Sequence, residues 1–249
     1  MQKLFFLFLV ACSLTVQSQS VYYAAAKTGI SLREAPNANA KVLEKIAYGE
    51  KLVTVADTSS SKPIVTEGFN GFWWKVKYNN KEGYVVSTYL LSMAPPKAGV
   101  KTLKDYFKQV SAPLGAPLVI KKSDAALNEM GESSITKQLF KNGMEWHDAQ
   151  GYETGSEVYM LPDFTIEQCF LLLRILNQYP GLIGEKDAFP TKKTKTTSAT
   201  GEKIMDVEKG DNFPGEIKRV KISSSDAVIT DFEIFMLDNQ AVIYYNAGV

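Results

Sequence analysis

At 249 residues, with 45% hydrophobic and 22% charged side chains, the chain has the make-up of one large or two modest globular domains, neither disordered nor fibrous. A formal net charge of +1 leaves no overall field to draw in nucleic acid or an acidic membrane surface, so no nucleic-acid partner is expected. With only two cysteines and one histidine, no intramolecular disulfide and no zinc site built from several histidines is expected, and no cofactor motif is found.

Residues 1–20 read as an export signal: Lys3 supplies the positive start, Leu4 to Val10 the apolar run, and small or polar residues follow. The run is shorter than the roughly 20 residues a membrane-spanning helix needs. Two cleavage patterns fit. Val16-Gln17-Ser18 precedes Gln19 as a small-x-small site, whereas Leu9-Val10-Ala11-Cys12 has the form of a lipobox, in which Cys12 would be lipidated and become the first mature residue. Either way the expected destination is the periplasm or cell envelope, with membrane contact only through a lipid on Cys12.

Residues 21–92 read as a small β domain. Val21 to Ala25 begins a strand. In Ile30-Ser31-Leu32-Arg33-Glu34-Ala35-Pro36, the proline holds Ala35 extended, so the chain turns there. Lys51 to Val55 alternates with period two, and Asp57 to Gly71 reads as a polar insertion. In the next strand Trp73 and Val76 are expected to face a core, with Trp74 and Lys75 on the other side. Tyr78 to Gly83 reads as a turn, since Asn and Gly accept left-handed backbone. Tyr84 to Val86 returns, and Ser87 to Leu90 closes the unit.

The leucine, arginine and proline at this spacing, then a Trp-Trp strand, a polar hairpin, a Gly-Tyr-Val strand and a Tyr-Leu ending, together resemble the bacterial SH3 (SH3b) family. The resemblance implies an SH3-like small β-barrel acting as a binding module for a peptidoglycan peptide or an envelope protein. A barrel this small cannot bury all of its aromatic residues. Carried onto this chain, the family's use of aromatics beside polar loops points to Tyr48, Trp74, Tyr84 and Tyr89 as ligand-binding, with Trp73 in the core.

Residues 93–101, with Pro95, Pro96 and Gly99, read as a short stiff linker. Residues 102–249 resemble no family. Leu103 to Val110 has the spacing of an amphipathic helix, Leu118 to Ile120 reads as a strand, and Lys137 to Trp146 and Ser156 to Leu161 read as strands around an acidic turn. Thr165 to Tyr179 is the clearest helix, opened by a Thr165/Gln168 capping box. Ile166, Cys169, Phe170, Leu173 and Leu176 form its inward stripe; Leu171, Leu172 and Ile175 widen that stripe, so cover on more than one side is expected. Residues 185–201 read as an exposed loop or edge hairpin, its Lys192, Lys193 and Lys195 serving solvation. Glu216 to Ile222, Phe232 to Leu237 and Ala241 to Tyr245 read as strands, the last two joined by a two-residue turn at Asp238-Asn239. The expected fold is mainly β: an SH3-like barrel followed by an α+β domain with a helix on an antiparallel sheet.

Two constellations in the second domain bear on chemistry. Glu145, His147, Asp148 and Glu153 fall in one acidic segment that suits either a general base or weak metal site, or a solvated hairpin tip. Cys169 lies mid-stripe, where a cysteine is a small buried hydrophobe, and the histidine precedes it, against the order of the wall-cleaving cysteine peptidases that often accompany SH3b domains. The leading expectation is therefore an exported, non-enzymatic binding protein with no catalytic residues. The alternatives are a cell-wall hydrolase with a carboxylate site near Glu145, Asp148 and Glu153, and a structural envelope subunit.

Overall fold

The computed structural model describes residues 20–55, 62–122, 133–197, 201–210, 216–225 and 228–248. The expected export signal, Cys12 included, lies outside them except for Ser20.

The barrel is built from β1 (Val21–Ala24), β2 (Ile30–Arg33), β3 (Val42–Ile46), β4 (Lys51–Thr54), β5 (Pro63–Thr66), β6 (Phe69–Tyr78), β7 (Lys81–Val86) and β8 (Leu90–Leu91), with a single 3-10 turn at Ser87–Tyr89. The strands run in the order β3-β2-β7-β6-β4-β1-β8, with β5 added on β6. Ala24, Ile30, Leu32, Ile46, Leu52, Val76, Val85 and Leu90 fill its centre. The β6–β7 turn is tighter than Tyr78 to Gly83. Asn79 and Asn80 alone turn the chain, with φ of +47° and +61°, and Lys81 to Gly83 are already paired.

Two expectations for this unit are corrected. The polar insertion at 57–71 contains a hairpin, β5–β6, turning at Glu67-Gly68, where φ is positive at both residues. Its mixed composition hid two strands, one of which runs unbroken into the Trp-Trp segment. Trp73 and Val76 are both buried but on opposite faces of β6, because residues three apart on a strand cannot share a face. Trp74 shares the barrel-core face with Val76; Trp73 and Phe69 share the face turned toward the second domain.

The second unit comprises α1 (Leu103–Val110), β9 (Leu118–Lys122), β10 (Ser133–Leu139), β11 (Glu145–Gly151), β12 (Thr154–Pro162), α2 (Ile166–Leu176), β13 (Thr194–Thr197), β14 (Glu202–Lys209), β15 (Ile217–Ser225), β16 (Ile229–Leu237) and β17 (Gln240–Gly248). Its nine strands form one antiparallel sheet in the order β13-β14-β15-β16-β17-β12-β11-β10-β9. Asp238-Asn239 is the expected two-residue turn, with φ of +47° and +64°. The acidic segment is corrected from turn to strand: β11 carries it, with turns at 141–143 and at Tyr152-Glu153 instead. Pairing on both sides, to β10 and β12, overrides its weak β-propensity.

Thr165 caps α2 as expected, its hydroxyl accepting from Gln168 N while the Gln168 side chain accepts from Thr165 N. The helix stops at Leu176, where Asn177 takes a left-handed conformation at φ +54°. Seven of its side chains are buried, Ile166, Cys169, Phe170, Leu171, Leu172, Leu173 and Leu176, which is more than one face of a helix. The reason is cover on two sides. One side packs on β15, β16 and β17, the other on β8 and the 3-10 turn of the barrel.

Phe69, at the start of β6, reaches across from the barrel and is fully buried against Phe170 and Phe189, with ring centroids at 5.9 and 5.2 Å. Phe189 N donates to Glu67 O at 2.8 Å. One apolar cluster thus runs from Ala25, Phe69 and Leu91 of the barrel through α2 to Ile222, Phe232 and Ile243 of the sheet. Burying a side chain such as Phe69 is worth about 1.5–3 kcal/mol. The linker is drawn into the same junction: Tyr48 donates to Pro96 O at 2.8 Å, and Gln109 Nε2 to Pro95 O at 3.0 Å.

Gly68 carries the closest approach of this docking: a Cβ there would lie 2.1 Å from Phe189 O, at φ +82°. Gly49 has a similar φ of +84° and open space around it. Gly49→Ala is expected to cost about 1–2 kcal/mol for the left-handed backbone alone. Gly68→Ala should cost clearly more and expose the 93–101 linker to protease. Denaturant unfolding measures both; equal losses would mean that the β5–β6 turn does not dock on Phe189.

Candidate functional site

The docking of barrel on helix leaves a groove of about 460 Å³ between them. Lys27, Thr28, Ser31, Trp73 and Tyr89 form the barrel wall; Leu171, Arg174 and Ile175 of α2 form the other, with Glu185 and Lys186 at one end. Trp73 is 5% exposed, held there because β6 puts it on the face opposite the barrel core. Arg174 is anchored at the wall: its Nη1 stands 2.8 Å from Glu67 Oε2, its Nε donates to Glu185 O at 3.1 Å, and its guanidinium lies 5.6 Å from the centre of the Phe69 ring. Lys27 pairs with Glu185 at 3.4 Å. With Arg33, the lining has four basic residues against Glu67 and Glu185, an excess of two positive charges. The arrangement suits an extended chain that lays an apolar part on the half-buried Tyr89 and Ile175, over the buried Trp73 and Leu171, and offers an anionic group.

The four aromatics expected to bind ligand do not form one patch. Tyr89 lines the groove and packs against both cores. Trp74 packs on the barrel core, its ring 4.9 Å from Tyr22. Tyr84 pairs with Lys75, on the opposite face of the β6–β7 ribbon from Trp74. Tyr48 is tied to the linker at Pro96, and burial pushes its phenol up to about 12. Trp73 and Arg174 are the groove residues that sequence reasoning missed. Arg174 had a signal, as the one charge inside Leu171-Leu172-Leu173-Arg174-Ile175-Leu176; Trp73 had none that separates a strand's two faces when both are covered.

The acidic segment is divided by the pleat of β11. Glu145 and His147 lie on the open face of the sheet and contact each other, with Lys137 Nζ 2.7 Å from Glu145. Asp148 lies on the helix-covered face, where Lys104 of α1 contacts it and also reaches Glu157 at 2.9 Å, its ammonium 4.9 Å from the centre of the Trp146 ring. Tyr179 donates to Glu157 at 2.8 Å and accepts from Gln178, whose carbonyl takes Leu103 N. Glu153 sits apart in the β11–β12 turn at φ +56°. None of the four lines the groove. Among the described residues, no group of three or more His, Cys, Asp or Glu is placed to hold a metal ion, and no helix is long and apolar enough to cross a membrane.

Partial burial pushes the Glu145 carboxyl up, but its bonds to Lys137 and His147 outweigh that and hold it below the usual range. Asp148 behaves alike, lowered by Lys104 and Gln150 against its burial. Lys104 is lowered by burial, yet raised overall by Asp148 and Glu157. These are carboxylates held ionised by lysines, which makes the network a brace between α1, the sheet and the end of α2. Cys169 is fully buried, and burial pushes its thiol up, away from the reactive thiolate; it lies on the core side of α2, while His147 is on the far face of the sheet.

Residues 28–91 match the bacterial SH3 domain family, SH3_3, and the rest of the chain has no family match. The match spans most of the barrel and, from Thr28 to Tyr89, most of one wall of the groove. Bacterial SH3 domains are protein- or peptide-binding modules. No curated protein and no solved structure matches the chain.

Because the folded-state values of Glu145 and Asp148 lie below their ordinary 4.5 and 3.8, their stabilisation is complete above those values and is lost as the pH falls through the lowered ones. Unfolding free energy is therefore expected to drop below about pH 4.5. In Lys104→Met the Asp148 part of that drop should disappear, while stability at pH 7 falls because two half-buried carboxylates lose their cation. Unfolding curves at a series of pH values read this out; an unchanged acid slope in the variant would rule out Lys104 as the partner that matters.

Proposed function

We propose that this protein is an exported, non-enzymatic binding protein of the bacterial cell envelope, which captures the peptide part of peptidoglycan in the groove between its SH3-like barrel and α2. The observation that carries the proposal is the composite groove. A wall made mostly by the SH3_3-matching residues faces an anchored arginine on α2, with the half-buried Tyr89 as flat apolar surface backed by Trp73 and two positive charges in excess. Wall peptides carry free carboxylates and extended backbone, which that lining complements. The apolar run at Leu4–Val10 supports export, and a lipid on Cys12 would hold the groove at a membrane leaflet beside the wall. Capture would be noncovalent: the peptide lies along Tyr89 and Ile175 while its carboxylates meet the cationic end near Lys27 and Lys186.

The test is co-sedimentation of the mature protein with purified peptidoglycan, alongside a turbidity assay for digestion. Thr28→Trp, which fills the groove from an exposed position, is expected to abolish sedimentation; Thr194→Trp, on the far edge of the sheet, should leave it intact. Binding of the wild type should weaken with added salt, since exposed charges are screened. Failure of the folded wild type to sediment would remove wall capture and leave an envelope protein as the partner to find. Clearing of the suspension would overturn the non-enzymatic reading.

A further inference from the structure

The two ends of the nine-stranded sheet differ. β13, at one end, is Thr-Lys-Thr-Thr and fully exposed, the usual polar protection of a free edge. β9, at the other end, is Leu-Val-Ile-Lys-Lys. Its Leu118, Val119 and Ile120 are 56%, 52% and 53% exposed, although they stand in a paired strand. Alternation puts Leu118 and Ile120 on the open face of the sheet and Val119 on the other, so both faces of β9 present apolar surface. Ile135 and Leu139 of β10 extend the open-face side, at 45% and 39% exposed, and Leu114, bonded through its N–H to Leu139 O, adds 58%. Single exposed aliphatics are ordinary, but six gathered at one corner of a sheet mark a contact surface. Among the described residues, β9 has a strand partner only on its β10 side.

We infer that β9 is an interface between two copies of this chain, joined by antiparallel β9–β9 pairing about a two-fold axis at Ile120. Three features favour a second copy over an unrelated strand. A two-fold interface must be self-complementary, and the β9 sequence is. Centred on Ile120, the pairing sets Ile120 against Ile120 and Val119 against Lys121, so at the axis each aliphatic meets an aliphatic residue or a lysine stem and no lysine faces a lysine. The row that Ile135 and Ile120 make on the open face then continues across the axis into its own copy, Ile135-Ile120-Ile120-Ile135. Head-to-tail pairing of β9 with β13 would instead set aliphatics against Thr and Lys, which disfavours an open filament. The interface lies on the sheet edge and uses no groove residue, so it is independent of the ligand proposed above.

Analytical ultracentrifugation of the mature chain tests this over a concentration series up to about 100 µM. A reversible monomer–dimer equilibrium is expected. Ile120→Glu and Ile120→Lys each place like charges opposite one another at the axis and should each raise the dimer Kd at least about tenfold. Because residue 120 is half exposed, both should unfold with midpoints close to wild type. Mixing the two variants should restore dimer, since glutamate then meets lysine. Wild type that stays monomeric throughout overturns the proposal. So does a mixture no more dimeric than its separate components, which would place residue 120 away from its own copy.

Discussion

A helix that is apolar around most of its circumference has no side it can present to water, and α2 is such a helix. Leu171 and Leu172 add a second apolar face to the stripe of Ile166, Cys169, Phe170, Leu173 and Leu176, so the sheet alone cannot satisfy it. The barrel supplies the missing cover. The consequence is a layered molecule, sheet, helix and barrel, with one apolar cluster running through all three. Two separate beads on a linker would leave one face of α2 in water, and the two buried prolines of the linker show that it too belongs to the packing.

The means of attachment is the β5–β6 hairpin. It lengthens a barrel strand by several residues, puts Phe69 between Phe170 and Phe189, and brings Glu67 to Arg174. Because the hairpin and the strand that carries Trp73 are one continuous β6, docking the hairpin also sets Trp73 at the junction. The groove is what the two curved surfaces fail to fill beside that contact. Its position follows from packing, and its charge from which residues lie at its rim.

The lysine-carboxylate brace works on the other side of α2. Lys104 lies between Asp148 and Glu157 and over Trp146, fastening α1 to the sheet, while Tyr179 and Gln178 tie the end of α2 to the same point. Partial burial makes such charges costly alone and useful together, because each is satisfied by a partner in a fixed place. An acidic segment that suggests chemistry in one dimension becomes, once pleated, two separate ion-pair sites on opposite faces.

Much of the local structure was legible in the residues themselves. The Asn79-Asn80 and Asp238-Asn239 turns need left-handed backbone that Asn and Asp tolerate; the Thr165/Gln168 box opens a helix wherever it meets an apolar run; Leu-Arg-Pro, Trp-Trp and Gly-Tyr-Val at their spacing resemble an SH3 barrel, and 28–91 match that family. Those are short-range constraints, set within a turn or two of the chain. Which face of β6 meets the core, whether residues 62–71 are loop or hairpin, and which acids share a site depend on what packs from elsewhere. Period two assigns two faces but cannot say that both are covered. Amino-acid sequence alone determined the tight turns, the capped helix and the barrel; tertiary packing decided that the barrel caps α2, that Trp73 rather than Trp74 stands at the groove, and that β9, among the described residues, ends the sheet.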